Sequence, residues 1–179
     1  NLNRLVAEKD HHLNTGFTGT PYLLFALADH GYTDTAYRVL LQETCPSWLY
    51  CVKMGATTLW EQWNAITPDG KVRDPSMNHY AYGAVGDFLY RRVLGLEATG
   101  GGYRRFRIQP LPGGGLTWAD GGTKTPYGQI WVRWEIHDSI FSVAVKVPVS
   151  TVCQLVLPNG NQYELTSGTH HFHEPLKKE

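Results

Sequence analysis

The period of the hydrophobic pattern changes near residue 100, and this change constrains the fold more than any other feature. Between residues 2 and 96 apolar side chains recur at spacings of three and four, whereas after Glu97 they alternate with polar ones. The small, Gly-rich stretch 98–102 separates the two patterns. The sequence therefore predicts a helical domain over residues 1–97 and a β-domain over residues 103–175.

Start and stop signals place the helices. Residues 20–31 begin with Thr-Pro and close on Gly, and a second helix is predicted between residue 33 and a stop at Pro46. The longest helix is predicted over residues 79–96, where a wide apolar stripe indicates burial on much of its circumference. Residues 2–13 resemble the second half of a helix without an N-cap, so we expect the chain to begin inside a longer protein.

The second half carries strand and hairpin signals. Residues 130–136 and 141–147 alternate apolar and polar side chains across a short link, which predicts one hairpin. The pair Asn159-Gly160 between residues 152–157 and 163–165 predicts another. About six short strands with Gly and Pro turns indicate a small antiparallel β-sandwich.

Composition excludes several classes of function. Sixteen Lys and Arg balance sixteen Asp and Glu, so no nucleic-acid or membrane partner is predicted. No apolar run approaches the length of a membrane span, and the N-terminus has no charged-then-apolar leader. Three cysteines without a CxxC pair predict neither a disulfide framework nor a zinc site. Phosphate and dinucleotide motifs are also absent, so no cofactor and no metal are predicted.

Aromatic and polar side chains are most concentrated in residues 55–64, where Glu61 lies between Trp60 and Trp63. Aromatic faces cover the C–H faces of a sugar ring, while a few polar groups bind its hydroxyls. A carboxylate beside two indoles is partly desolvated, which suits a general base. The alternative is that both tryptophans are core residues on one helical face and that Glu61 is a solvated charge.

Histidines occur at two further places of interest. His79, in the run Asn78-His79-Tyr80, directly precedes the longest predicted helix, where it would bind a hydroxyl, orient a carboxylate or cap the helix. The residues alone favour the cap. The run His170-His171-Phe172-His173 lacks acidic or Cys partners at metal-ligand spacing, and a solvated tail is the preferred interpretation.

Five motifs resemble those of the bacterial inverting α-L-rhamnosidases, and they occur in the order of that family over nearly the whole chain. They are TGFTGTP at 15–21, PSW at 46–48, GATTLWEQW at 55–63, NHYAYGAVG at 78–86 and PGGGL at 112–116. The resemblance implies that residues 1–97 are the C-terminal part of an (α/α)6 barrel and that residues 103–175 are a C-terminal β-sandwich.

The resemblance also implies roles for individual residues. Glu61 falls on the general base of the family, and His79 falls on a histidine of the same sugar site. Trp60, Trp63 and Asn78 are expected to contact the sugar. The family motif usually has Arg where this chain has Gln62, which places any ion pair at that position in doubt.

The general acid of the family lies upstream of the aligned stretch, so we expect it to be missing from this chain. The predicted function is that of a fragment of an inverting hydrolase of terminal α-L-rhamnosides. Two alternatives remain: an (α/α)6 glycosidase for a different sugar, and a non-catalytic sugar-binding or structural fragment. The expected partners are a carbohydrate substrate and either the missing N-terminal half or a second copy of the chain.

Overall fold

The computed structural model describes residues 1–176 and divides the chain into two compact units, Asn1–Phe88 and Leu89–Glu179. The first unit is helical and the second consists mainly of strands. The predicted order of helices followed by a β-domain is therefore confirmed. Within the described residues, no helix is both long enough and apolar enough to cross a bilayer.

The first unit contains five short α-helices and a 3-10 helix. They are α1 Leu2–Ala7, α2 Thr20–Ala28, α3 Thr33–Leu40, α4 Trp48–Lys53, the 3-10 helix Ala81–Ala84 and α5 Val85–Phe88. The predicted starts of α2 and α3 are confirmed, because Thr20 and Thr33 are their first residues. Gly31 then turns the chain after α2 with a φ of +83°.

The core of the first unit forms where α2, α3 and α5 meet. Leu27 of α2 and Tyr37 of α3 are fully buried, and Phe88 of α5 is 1% exposed. The Phe88 ring packs edge-on against Phe25 at 5.3 Å and against Tyr37 at 6.3 Å between centroids. Burial raises the pKa of the Tyr37 phenol far above its usual value, so this side chain stays neutral.

The backbone over residues 81–96 differs from the single helix that the apolar stripe predicts. The 3-10 helix and α5 are followed by a π-helix, Leu89–Leu94, and Gly95 ends it with a φ of +86°. A side chain on Gly95 would meet the backbone of Pro110, at 2.3 Å from its nitrogen. The close approach and the left-handed backbone both require glycine at this position, and Leu96, the next residue, begins a strand.

Within residues 1–176 the second unit has eight strands in two four-stranded sheets. The strands are β1 Leu96–Ala98, β2 Arg105–Ile108, β3 Trp118–Thr125, β4 Gly128–His137, β5 Ile140–Val147, β6 Val152–Val156, β7 Gln162–Leu165 and β8 Gly168–Pro175. The sheet orders are β1-β2-β6-β7 and β3-β4-β5-β8. Both predicted hairpins, β4-β5 and β6-β7, are confirmed. All paired strands are antiparallel except β2 and β6, which run parallel.

The core of the second unit follows from the alternation. Every second residue is buried over 130–134 of β4 and over 141–147 of β5, including Trp134, whose indole N–H donates to the Val93 carbonyl at 2.8 Å. Phe106 and Cys153 contribute from the other sheet. Burial raises the pKa of the Cys153 thiol to about 12, so it remains protonated in the folded chain.

The prediction that residues 170–173 form a solvated tail is wrong. They lie in β8, which pairs with β5 along its whole length. The ring of Phe172 contacts Tyr163 of the other sheet at 4.5 Å, and buried Glu174 accepts a hydrogen bond from the Asn159 N–H at 2.9 Å. Backbone pairing and these two cross-sheet contacts order a segment whose side chains are mostly polar. In the described part of the chain no three His, Cys, Asp or Glu side chains group to hold a metal ion.

Candidate active site

The stretch richest in aromatic and polar residues is a loop, and a second loop holds it in place. Residues 55–64 follow α4 without helical structure. The Glu61 N–H donates to the Ser76 carbonyl at 3.0 Å, and the His79 N–H donates to the Leu59 carbonyl at 2.7 Å. The Thr58 hydroxyl also donates to the backbone of the second loop. These bonds bring Glu61 and His79, eighteen positions apart in the sequence, onto neighbouring segments.

The carboxylate of Glu61 is half-buried and held at one oxygen. Its Oε2 accepts a hydrogen bond from the Ser76 N–H at 2.9 Å, so Glu61 and Ser76 are joined twice. Among the described residues, Oε1 has no hydrogen-bond partner. One fixed oxygen and one available oxygen is the arrangement that a carboxylate needs to bind and deprotonate a water molecule.

Five aromatic rings from four separate segments form a continuous set, here called the aromatic cluster. Its members are Phe17, Trp48, Trp63, His79 and Tyr82. Trp63 stacks on Tyr82 with 3.8 Å between ring centroids, and Phe17 lies 5.1 Å from Tyr82 and 4.8 Å from His79. Trp48 meets Trp63 edge-on at 5.5 Å. The cluster therefore links the two loops of the site to the loop before α2 and to α4.

Hydrogen bonds fix two members of the aromatic cluster. The indole N–H of Trp48 donates to the Tyr82 carbonyl at 3.0 Å. Burial is the main reason that the pKa of the Tyr82 phenol is raised; contact with Trp63 lowers it, and the negative charge of Glu61 raises it further. The Tyr82 phenol thus stays neutral in its stack with Trp63.

His79 combines a capping role with a free ring edge. Its Nδ1 accepts a hydrogen bond from the Ala81 N–H at 3.3 Å, at the start of the 3-10 helix. This bond assigns the proton of the neutral ring to Nε2, on the opposite edge. The ring is stacked between Phe17 and Tyr80, the latter at 5.5 Å, and is half-buried. The cap interpretation and the hydroxyl-binding interpretation of His79 are therefore compatible.

The remaining predicted site residues lie in different environments. Trp60 is 4% exposed and belongs to a core cluster with Tyr50 and Cys51, against which Trp63 packs. Asn78 is exposed, and its backbone groups bond to the Ser76 hydroxyl. The structure thus brings Glu61, Trp63, Asn78 and His79 onto two bonded loops and buries Trp60 beneath them.

The sequence analysis did not nominate Phe17, Trp48 or Tyr82. Phe17 is 43% exposed, and Thr20 fixes the turn that carries it, since its buried hydroxyl donates to the Gly16 carbonyl at 2.9 Å. The residue pattern gave Tyr82 only a place in the apolar stripe of a predicted helix, and it put Trp48 in the long loop predicted between residues 46 and 78. All three lie inside the motifs that carry the family resemblance, and that was the one available signal.

Comparisons with known proteins agree over nearly the whole chain. Residues 1–93 match the model of the bacterial α-L-rhamnosidase six-hairpin glycosidase domain, and residues 95–172 match that of the bacterial α-L-rhamnosidase C-terminal domain. An α-L-rhamnosidase of Streptomyces avermitilis is 42% identical over 170 residues, which cover 92% of this chain and 16% of that protein. One from an Alteromonas species is 38% identical and covers 97% of this chain and 19% of that protein.

Solved structures show the same similarity. The native α-L-rhamnosidase of Aspergillus terreus superposes with a TM-score of 0.92 at 36% identity, covering 96% of this chain and 20% of that one. The Streptomyces avermitilis α-L-rhamnosidase complexed with L-rhamnose gives a TM-score of 0.90 at 37% identity, with 96% and 19% coverage. This chain therefore spans about a fifth of the length of the proteins it matches.

Proposed function

Because this chain belongs to the bacterial α-L-rhamnosidase family, we propose that it is a fragment of a glycoside hydrolase that removes terminal α-L-rhamnosyl residues with inversion. Residues 1–97 would be the C-terminal part of an (α/α)6 barrel, and residues 103–175 its C-terminal β-sandwich. The two family matches, on either side of residue 94, support this division.

Glu61 is the general base in this proposal. Inverting hydrolysis uses two carboxyl groups about 6.5–9.5 Å apart, one to protonate the leaving oxygen and one to deprotonate the attacking water. The observation that carries the assignment is the hydrogen bond from the Ser76 N–H to Oε2 of Glu61, which leaves Oε1 available to that water. The general acid would come from outside these 179 residues, since the chain spans only 16–19% of its relatives.

The aromatic cluster and its neighbours would bind the sugar. The partly exposed rings of Phe17 and Trp63 suit the C–H face and the methyl group of a deoxy sugar. The Nε2–H of His79 and the amide of Asn78 would bind hydroxyls, and Trp60 would support the wall from the core. A relative crystallised with L-rhamnose supports this sugar class.

The test is the release of nitrophenol from nitrophenyl α-L-rhamnoside by the chain, its Glu61→Gln variant and a Glu164→Gln control. Nitrophenolate leaves with little help from an acid, so the missing carboxyl is partly bypassed. Removal of the base should slow release by a factor of about 10²–10⁴, whereas the exposed Glu164 on β7 should be silent.

Each outcome is decisive. Turnover that collapses only in Glu61→Gln supports the base assignment, and equal turnover in all three proteins removes Glu61 from that role. Binding of L-rhamnose without turnover in any of them favours the non-catalytic alternative. Faster release from the nitrophenyl glycoside of another sugar favours the alternative specificity.

A further inference from the structure

A second group of aromatic and polar side chains lies on the outer face of the sheet β3-β4-β5-β8, and the active-site proposal makes no use of it. We call it the Trp118 face, and its members are Trp118, Asp120, Trp131, Arg133 and Glu135. The register of β3 and β4 puts Trp118 opposite Glu135 and Asp120 opposite Arg133, so all five point away from the core. All five lie within the second unit.

The side chains of the Trp118 face are held in fixed positions. Trp131 donates its indole N–H to Asp120 Oδ1 at 3.0 Å, and Arg133 contacts Asp120 Oδ2 and Glu135 Oε2, each at 3.4 Å. The guanidinium of Arg133 also lies 5.7 Å from the centre of the Trp118 ring, within cation–π range. A continuous chain of contacts therefore runs from one indole to the other.

Trp118 is 59% exposed although it is large and apolar. A covered tryptophan buries roughly 150–250 Å², so on the order of 100 Å² of this ring faces solvent. Lone exposed apolar residues are common. Here, however, the exposed indole is fixed by a cation and lies within a network of ordered polar groups, which is the composition of a ligand surface.

The charges on this sheet face select the kind of ligand. Lys146 of β5 lies opposite Trp131, and Lys124 of β3 lies on the same face, so three cations and two carboxylates surround the indoles. A net charge of only +1 is not the strongly basic patch that attracts nucleic acid. Five charges on one sheet face are also unlike the core of a protein interface, from which charged residues are depleted. A neutral saccharide needs what is present: an aromatic face for its C–H groups and rigid donors and acceptors for its hydroxyls.

From this geometry we infer that the Trp118 face is a saccharide-binding surface, separate from the Glu61 site, that holds a neutral glycan chain of the substrate. Only the identity of the glycan, a rhamnose polymer, rests on the proposed function. Trp118 is the aromatic platform, and Asp120, Arg133 and Glu135 bind hydroxyls. Trp131, whose N–H is already bonded to Asp120, positions that carboxylate.

The test is affinity electrophoresis of the full chain in native gels that contain a neutral rhamnan, with free L-rhamnose added to occupy the Glu61 site. Trp118→Ala is compared with Trp118→Phe, which keeps a ring, and with Tyr22→Ala, which removes a 71% exposed aromatic residue from the helical unit. Loss of a dominant aromatic anchor should weaken the apparent Kd about tenfold or more. The other two variants should stay near wild type.

The results separate this proposal from its competitors. Selective loss of retardation in Trp118→Ala supports it, whereas retardation that is absent in wild type or unchanged in Trp118→Ala overturns it. A Trp118→Ala variant that instead loses a concentration-dependent dimer in sedimentation assigns the face to a second copy of the chain and also overturns it. The Glu61→Gln variant should be retarded like wild type, so failure of rhamnoside hydrolysis and failure of this surface are distinguishable.

Discussion

Replacing Gly95 with alanine is expected to destabilise the β-unit much more than the same change at Gly160, although both glycines have left-handed backbones. Their φ angles are +86° and +95°. Alanine at either position is destabilised by its left-handed backbone, by about 1–2 kcal/mol. At Gly160 the new methyl group meets no atom within 4 Å, so the backbone strain accounts for the entire expected loss of stability.

At Gly95 the methyl group collides with backbone. It would lie 2.3 Å from the nitrogen of Pro110 and 2.4 Å from the carbonyl carbon of Gln109, and backbone atoms cannot rotate away as a side chain can. Overpacking typically adds about 1–3 kcal/mol, and more where the surroundings are stiff. The expected loss is therefore about 2–5 kcal/mol for Gly95→Ala against about 1–2 kcal/mol for Gly160→Ala.

Urea unfolding followed by tryptophan fluorescence measures the difference, because Trp134 is fully buried in this unit. Each kcal/mol corresponds to about 4–8 °C in Tm for a domain of this size. Equal destabilisation by the two substitutions would refute this reasoning, since it would show that a methyl group at position 95 loses no free energy by its contact with the Pro110 backbone.

Two further predictions concern the general base and a buried thiol. Azide should restore nitrophenol release in Glu61→Ala, because the lost side chain leaves room for the anion to attack the anomeric carbon and form a β-L-rhamnosyl azide. Glu61→Gln, whose side chain fills that room, should not respond to azide. Rescue of both variants or of neither contradicts the base assignment. Burial raises the pKa of Cys153 from 9.0 in the unfolded chain to about 12, so the unfolded state loses this proton first. The stability that the neutral thiol contributes is therefore present below pH 9 and is lost, by about 1.4 kcal/mol per pH unit, as pH rises towards 12. Denaturant titrations should show a shallower alkaline decline in Cys153→Ala than in wild type, and parallel declines would contradict the assigned cause.

The elements that could be predicted from the sequence are those with local causes. The hairpin β4-β5 has strict alternation, and β6-β7 has Asn159-Gly160 at its turn, so period and turn chemistry coincide. Leu96 fitted the helical spacing equally well. Its place in a strand depends on pairing with Ile108 of β2, twelve residues later in the chain, which no local pattern at Leu96 indicates. β8 was missed because its order comes from pairing with β5 and not from its own composition.

The same distinction applies to the candidate site. Glu61 and His79 drew notice because one lies in a dense local motif and the other at a predicted helix start, but only the family resemblance implied roles for them. Trp60 and Trp63 were not separable, since the loop that carries them has no period from which to assign a buried and an open side. In the structure Trp60 is packed against Tyr50, while Trp63 stacks on Tyr82. That difference depends on partners far away in the sequence.

The position of Glu61 depends on the aromatic cluster as much as on hydrogen bonds. A loop without regular structure is free to move unless contacts from elsewhere fix it. The hydrogen bonds between the two loops join one such segment to another. Trp63 and Tyr82 anchor those loops to Trp48 of α4, whose indole N–H bonds to the Tyr82 carbonyl. The rings that would contact the sugar are thus the same rings that hold the base in place. Under the proposed function, removal of a ring would therefore disturb sugar binding and the position of Glu61 together, whereas changes confined to the Glu61 carboxylate would leave the aromatic cluster intact.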